Sequence, residues 1–448
     1  MNTQETTREH LNKLIEFRQA IYRNGLSARR DALFNVLDAL LSTGSVSSFA
    51  MLSQSERFER KWPSLYAAVA DGQVNQEWLR RFLTDQTPRQ GICIFPLDGS
   101  SWARPRSRTL DDLQYVYQAS SDVNGGTVTI GYPYSLLEWC AEAHSSWSLP
   151  LDVRRIPSEQ TAQDIGVAQI QALAKARSDC TAALDIVTAD GKYGHSGFLC
   201  RIQGLRVGAV TRLRRDRVLY RAAPPPTGKR GRPRIHGARF AFKEESTWGA
   251  PAETWEFEAA DYGTVRLERW NTLHDGKNPP FSFDVLRARI HQERAKPPAA
   301  IWLAWLAPPV IPPNIAVTAQ TLWDAYTMRW PIEPALQFRK AHLDWTLPRF
   351  QHKGTGDTWS ALVALAHWSL FLARPIVADM PLPWQKPQAR LTPQRVRQSL
   401  KPIFALIGTP ALPPKTRGKS PGWPKGKPRT PKERFKVVKK RPVAPQSA

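Results

Sequence analysis

Asp98 and Asp190 each close an apolar run, GICIFPL over 91–97 and ALDIVTA over 183–189. A buried strand that runs into an acid leaves a carboxylate whose desolvation is unfavourable unless a cation compensates it. Each is followed by glycine, and Asp-Gly is also a hairpin signal. The same pair recurs at Asp71 and Asp275, so the apolar strand leading in is what sets Asp98 and Asp190 apart. A third acid lies in YTMRWPIEPALQFRK, where Tyr326, Arg329, Glu333 and Lys340 stand at offsets 0, 3, 7 and 14. At about 100° per residue these four fall within about 60° on a helix. A carboxylate flanked by two cations and a phenol suits phosphate groups; the plainer alternative is an amphipathic helix with a charged face. Pro331 and Pro334 require a break before Pro331 and a new helix from there, with Glu333 in its first turn.

The elements that must position these residues read as mixed α/β. Extended segments are expected at 91–97, 128–138, 147–155, 183–189, 206–213, 254–273 and 301–306, with a long helix over 158–177 and helices from 322 and 331. Strands interleaved with helices in this way imply a mixed sheet with helices packed on it, and acids at strand ends are where such scaffolds present chemistry. Asp185 lies on the same strand as Asp190, but its spacing puts it on the opposite sheet face. Residues 1–88 read as a helical unit. There Asn24-Gly25 ends a first helix, Ser27 caps a second, and Leu33, Val36, Leu37, Leu40 and Leu41 form its apolar stripe. This unit is a DNA-binding domain or a small bundle with a solvated face carrying Arg29, Arg30, Arg57, Arg60, Arg80 and Arg81.

Composition narrows the partner. The 448 residues hold 63 Lys+Arg against 39 Asp+Glu, a net charge of +24, which points to a polyanion, nucleic acid first. Cys93, Cys140, Cys180 and Cys200 are far apart, which argues against a disulfide framework and suits a reducing cytoplasm. The start lacks a signal-peptide pattern. Prolines 308, 309, 312 and 313 break the uncharged stretch 299–317, and the apolar run 361–373 reads as a core helix, so no membrane partner is expected.

The spacing Tyr-x2-Arg-x3-Glu-x6-Lys, met by Tyr326, Arg329, Glu333 and Lys340, resembles the signature of a large group of bacterial insertion-sequence transposases with a DDE catalytic triad. The string Arg-Trp-x-Ile-Glu over 329–333 is also similar to that family. The resemblance covers roughly 89–213 and 298–378. It implies a ribonuclease-H-like core with Asp98, Asp190 and Glu333 as catalytic and metal-binding acids, and Tyr326, Arg329 and Lys340 as contacts to DNA near the element's end. It further implies two Mg²⁺ (or Mn²⁺) ions per site, double-stranded DNA as transposon end and target, a homodimer on paired ends, and a bacterial, nucleoid-associated setting. The chemistry agrees with the residue types. Two ions about 4 Å apart, held by carboxylates, activate water or a 3′-hydroxyl and neutralise charge at phosphorus.

Between Asp190 and Glu333 lie 142 residues, more than one strand and one helix need, which supports an inserted β-rich subdomain. Within it, GKRGRPRIHG over 228–237 places Arg230, Arg232 and Arg234 either as an AT-hook-like strand for a narrow minor groove or as a basic loop on phosphates. Trp248, Trp255 and Trp270 are candidates for stacking a flipped base, with packing the plainer role. From Lys415 to Arg441 twelve Lys/Arg face one acid, Glu433, between four prolines, composition expected of a disordered basic arm. The expected organisation is therefore 1–88 helical, 89–213 first part of the catalytic core, 214–297 insertion, 298–378 second part of the core, 379–410 a helical segment and 411–448 the disordered tail. The reading that joins these features is a DNA transposase that cuts and joins the ends of its own element. A stand-alone metal-dependent nuclease of the same fold and a non-catalytic DNA-binding descendant are its rivals.

Overall fold

The structure is a computed structural model that describes residues 3–44, 48–117, 127–225, 232–260, 262–291, 299–415, 422, 424–428 and 430–439. Helices α1 (Thr3–Ala20), α2 (Arg30–Ser42), α3 (Phe49–Leu52), α4 (Trp62–Asp71) and α5 (Gln76–Asp85) precede strands β1 (Gln90–Ala103), β2 (Gln114–Tyr117), β3 (Val128–Cys140) and β4 (Ser148–Arg155). Helix α6 (Ala162–Ala176), β5 (Ala182–Ala189), the short α7 (Ser196–Leu199) and β6 (Gly208–Leu213) follow. Strands β7 (Val218–Tyr220), β8 (Arg239–Ala241), β9 (Glu253–Ala259), β10 (Gly263–Asp275), β11 (Ser282–His291) and β12 (Ile301–Leu306) come next. Then come α8 (Ala319–Thr327), α9 (Ile332–Ala341), α10 (Lys353–Ala373), α11 (Pro393–Gln398) and α12 (Lys401–Ile407).

The twelve strands of the described residues belong to one sheet, ordered β2-β3-β1-β5-β6-β12-β11-β10-β7-β8, with β4 on β3 and β9 on β10. At its centre β1, β5 and β6 run parallel, while β3 and β12 flank them antiparallel. This mixed order is consistent with the ribonuclease-H-like core the resemblance implies. The described strands of 214–297 prolong the central sheet, because β11 pairs with β12.

Both faces are covered, which is why the central strands are apolar on both sides. On one face Cys93, Phe95, Leu97, Val187 and Ala189 pack with Val167, Ile170 and Leu173 of α6. On the other, Ile94, Leu184, Ile186, Val210 and Trp305 pack with Leu322 and Trp323 of α8. Helix α6 starts at a capping box, in which Thr161 and Asp164 satisfy each other's backbone N–H. Helix α10 is apolar almost all round and buried along most of its length, the pattern of an internal helix. The N-terminal helices share its core, with Leu14, Phe17, Leu33 and Leu37 in the same cluster as Trp359, Leu362 and Trp368. No helix of the described residues is long and apolar enough to cross a membrane.

Three expectations change. Ser27 does not cap α2: the N-cap is Arg29 in the left-handed region, without a side-chain cap, and the Ser27 hydroxyl donates to Gln73 instead. Strand β1 does not end at Asp98 but continues to Ala103, because Gly99–Ala103 still pairs with β3. Residues 431–438 of the tail follow the sheet's edge: Phe435 N–H donates to Arg108 O at 2.9 Å and Val438 N–H to Leu113 O at 2.8 Å. Strand β2 is an edge strand with free backbone groups, and such edges recruit extended chain whatever its composition.

Candidate active site

Parallel pairing of β1 and β5 runs from Gln90–Ala182 to Leu97–Ala189. Asp98 and Asp190 are the next residues on these two neighbouring strands. Side chains alternate along a strand, so both acids share the parity of Ile94 and Ile186 and project to the α8 side. Asp185 has the other parity, is buried, and is held by Arg177 through Nε and Nη2, both at 2.8 Å. The Asp-Gly ambiguity resolves differently at the two positions. Asp98 sits in a continuing strand and accepts from Gly99 N–H at 2.7 Å. Asp190 starts a turn, its Oδ1 accepting from Lys192 N–H at 3.0 Å.

Glu333 comes from the α8–α9 junction. The chain leaves α8 at Met328, turns through Arg329 and Trp330, and re-enters helix with Pro331 as N-cap. Pro331 lacks an N–H that a first turn would leave unpaired in any case, and Glu333 lies in that first turn. The turn swings Arg329 over the acids. Its Nη1 donates to Asp98 Oδ2 and its Nη2 to Glu333 Oε1, both at 2.9 Å. The Arg329 pKa is raised: burial pulls it down, but the charges of Asp98, Tyr326, Glu333 and Asp190 outweigh that. The Asp98 pKa is also raised, chiefly by burial, with Asp190 and Glu333 adding to it and Arg329 and the Gly99 N–H opposing. Three carboxylates thus crowd one guanidinium. Lys340, further along α9, has a lowered pKa from loss of water and from Arg339, with Asp98 opposing.

Beneath the site a second arginine does different work. Arg339, buried, donates from Nη2 to Glu138 Oε1 and from Nη1 to Glu138 Oε2 at 3.4 Å, Ser148 O at 3.3 Å and His367 Nδ1 at 3.2 Å. This knot ties the helix that carries Glu333 to β3, β4 and α10. Sequence reading missed it: Arg339 lies inside the signature spacing, but its partner is 201 residues away.

Asp190, Tyr326 and Arg329 line an open groove of about 680 Å³ together with Arg212, Arg214, Arg215 and Lys243. The four cations were also missed, although the run RLRRDR, which begins within β6 at Arg212, signals three of them; Lys243 stands outside it. A larger groove of about 800 Å³ lies away from these acids, between α5 and α6. Its cations Arg80, Arg81, Arg89, Arg154 and Lys175 face Glu77, Asp85, Asp152 and Asp179, so it has no strong sign of charge. Of the loop arginines, Arg232 and Arg234 are exposed and Arg230 lies outside the described residues. Trp248 and Trp270 are buried against Trp302 and Phe240, whereas Trp255 is 49% exposed on β9.

Oxygen-only donors from three carboxylates suit a hard divalent cation. Such an ion would offset the burial of the Asp98 carboxylate, the main cause of its raised pKa, and its repulsion from Asp190 and Glu333. As they stand, no three His, Cys, Asp or Glu of the described residues form a ready ligand cluster; Arg329 lies between Asp98 and Glu333. Asp98, Asp190 and Glu333 are the residues that would hold the metal.

A family model described as DDE superfamily endonuclease matches residues 22–277. No curated protein matches the sequence. Among solved structures, the piggyBac transposase in a synaptic complex with hairpin DNA is similar at 10% identity, over 93% of this chain and 86% of that one, with a TM-score of 0.39.

Proposed function

Since the chain belongs to the DDE superfamily of endonucleases, we propose that it is a DNA transposase that binds the ends of an insertion sequence, cuts them and joins the freed 3′-hydroxyls to target DNA. The observation that carries this reading is that Arg329 holds Asp98 of β1 and Glu333 of α9, while Asp190, next after β5, faces the same guanidinium across a groove lined by further cations. A bound pair of Mg²⁺ ions would supply an activated oxygen nucleophile and charge neutralisation at phosphorus. The chain's own residues do the rest. Asp98, Asp190 and Glu333 fix where that chemistry occurs, because two stand on neighbouring strands and the third on a helix locked to the sheet by Arg339. Arg329, Tyr326 and Lys340 hold the phosphates on either side of the bond to be cut, the guanidinium through paired N–H donors. On DNA binding, Arg329 exchanges part of its hold on Asp98 and Glu333 for phosphate oxygens. In hydrolysis, water attacks phosphorus and the P–O3′ bond breaks, leaving a 3′-hydroxyl. In transfer, that hydroxyl attacks a target phosphate by the same displacement. Two protomers pairing two ends complete the proposal.

The test is end cleavage with Mg²⁺ by the wild type and by Asp98→Ala, Asp190→Ala and Glu333→Ala. Each variant is expected to lose about 10²–10³-fold or more, the range seen when charge stabilisation is removed from a site; retained cleavage by any of them sinks the assignment. Equal affinity for terminal inverted repeats and random duplex would favour a stand-alone nuclease instead.

A further inference from the structure

The tail's contact with the edge strand gives its charge an address. Residues 431–438 approach β2 in the parallel sense: Val438 bridges Gln114, and the Phe435 and Val438 N–H groups donate to Arg108 O and Leu113 O. Lys432 Nζ reaches Gln351 Oε1, anchoring the other end. Along this segment Lys432, Arg434, Lys436 and Lys439 are exposed, against the single acid Glu433. The strand it joins shows Tyr115 and Tyr117 to solvent, 52% and 66% exposed, and the loop before it adds exposed Arg106 and Arg108. Backbone pairing fixes the register, so these cations form a row rather than a cloud.

The row has a definite place relative to the acids. Gln114 pairs with Gly131 on β3, and Asp98 faces Leu136 on the same strand. The offset is five residues along β3, about 17 Å, and two strand spacings across, about 10 Å. Gln114 is therefore about 20 Å from Asp98, and Val438, one strand spacing further out, about 22 Å, on the order of six to seven phosphate steps of one DNA strand.

Resting on the reading of the site as a DNA-cutting one, we propose that residues 432–438 and the β2 edge form a phosphate-binding strip for duplex DNA running about six base pairs beyond the cleaved bond. The ligand is the DNA backbone; it comes either from the element's side of the cut or from the flanking side. A free arm would bind DNA of any length near the site, whereas a strip held in register needs duplex that reaches it.

The experiment measures binding of the full-length protein, carrying Asp98→Ala to prevent cutting, to end duplexes that stop about three base pairs past the cleaved bond or continue about twelve, on either side. The triple variant Lys432→Glu, Arg434→Glu, Lys436→Glu is expected to lose about tenfold on the duplex extended on one side and nothing on the short ones. The side that responds identifies the source. Equal loss on short and long duplexes, or no loss on any, overturns the strip. Val438→Pro removes the N–H given to Leu113 and keeps every charge. It should weaken binding to the same extended duplex and raise hydrogen exchange across 113–117, with thermal unfolding unchanged. Full affinity in this variant overturns the docked register. A protein that binds extended duplex in this pattern but never cuts element ends would refute the transposase reading and leave the strip standing. One that binds no duplex refutes both.

Discussion

Arg329 and Arg339 stand ten residues apart on one stretch of chain, each facing carboxylates, yet they build opposite things. Around Arg339 one acid, one imidazole and one carbonyl take the Nη donors in a closed space, with Nε left unpartnered: Glu138 is wholly buried and Arg339 is 2% exposed. Around Arg329 three acids share one cation at the rim of a groove, and Glu333 is 55% exposed. The first arrangement matches one cation to one acid and is shut, so no ligand reaches it. At the second, three acids face one guanidinium and solvent reaches them, the setting that the proposed metal requires. Strand β5 repeats the contrast. Asp185 is consumed by Arg177 inside the core, and Asp190, five residues on, faces the groove. On the function proposed above, a functional acid differs from a structural one in lacking a cation of its own and in being open to solvent.

The largest effect should come from neutralising one acid in each arrangement. Asp98→Asn is expected to reduce Mg²⁺-dependent cleavage by about 10²–10³-fold or more, while leaving unfolding in denaturant near that of the wild type. Glu138→Gln should do the reverse in character. It leaves Arg339 buried without its counter-charge, which typically destabilises by about 3–5 kcal/mol, and any loss of cleavage should follow the loss of folded protein. If Glu138→Gln kept full stability but lost cleavage, the division between architecture and chemistry would be wrong.

A smaller effect tests the surplus of charge directly. Arg329→Gln removes the cation that Asp98 and Glu333 share. Without DNA, this variant should bind Mn²⁺ about tenfold more tightly, roughly 1.4 kcal/mol, read as a larger thermal stabilisation per added metal. Its affinity for element ends should fall, since the same guanidinium is assigned to phosphate. Unchanged Mn²⁺ affinity would show that Arg329 does not stand where the metal goes.

Much of this contrast was legible in the sequence for a physical reason: local periodicity. Alternation along β5 separates Asp185 from Asp190, the apolar runs announce β1 and β5, and Pro331 sets the start of α9 and so the place of Glu333. What stayed hidden depends on partners far along the chain or on backbone alone. Glu138 and Arg339 carry no local pattern that pairs them. Gly99, Ser100 and Ser101 look like loop because their strand is held by β3 rather than by burial. The tail lies on β2 through main-chain bonds, which composition does not encode.

The smallest effect concerns the closed arrangement alone. His367 is fully buried, and its pKa lies well below the ordinary value, first through burial and then through the Arg339 charge. The folded protein therefore keeps a neutral imidazole whose Nδ1 accepts from Arg339, while the unfolded chain takes up a proton below about pH 6.5. Stability from this group is present above that pH and is lost as pH falls through it, by up to about 1.4 kcal/mol per unit. Glu138 complicates the raw curve, since burial pushes its pKa up and Arg339 holds it down. His367→Gln retains an acceptor for Arg339 and removes the titration, so the difference between the two proteins isolates the histidine. Between pH 6.5 and 5.5 the wild type should lose stability faster than the variant. Parallel curves would mean that the knot around Arg339 is open to protons and water, and the contrast with the groove would then fail on its closed side.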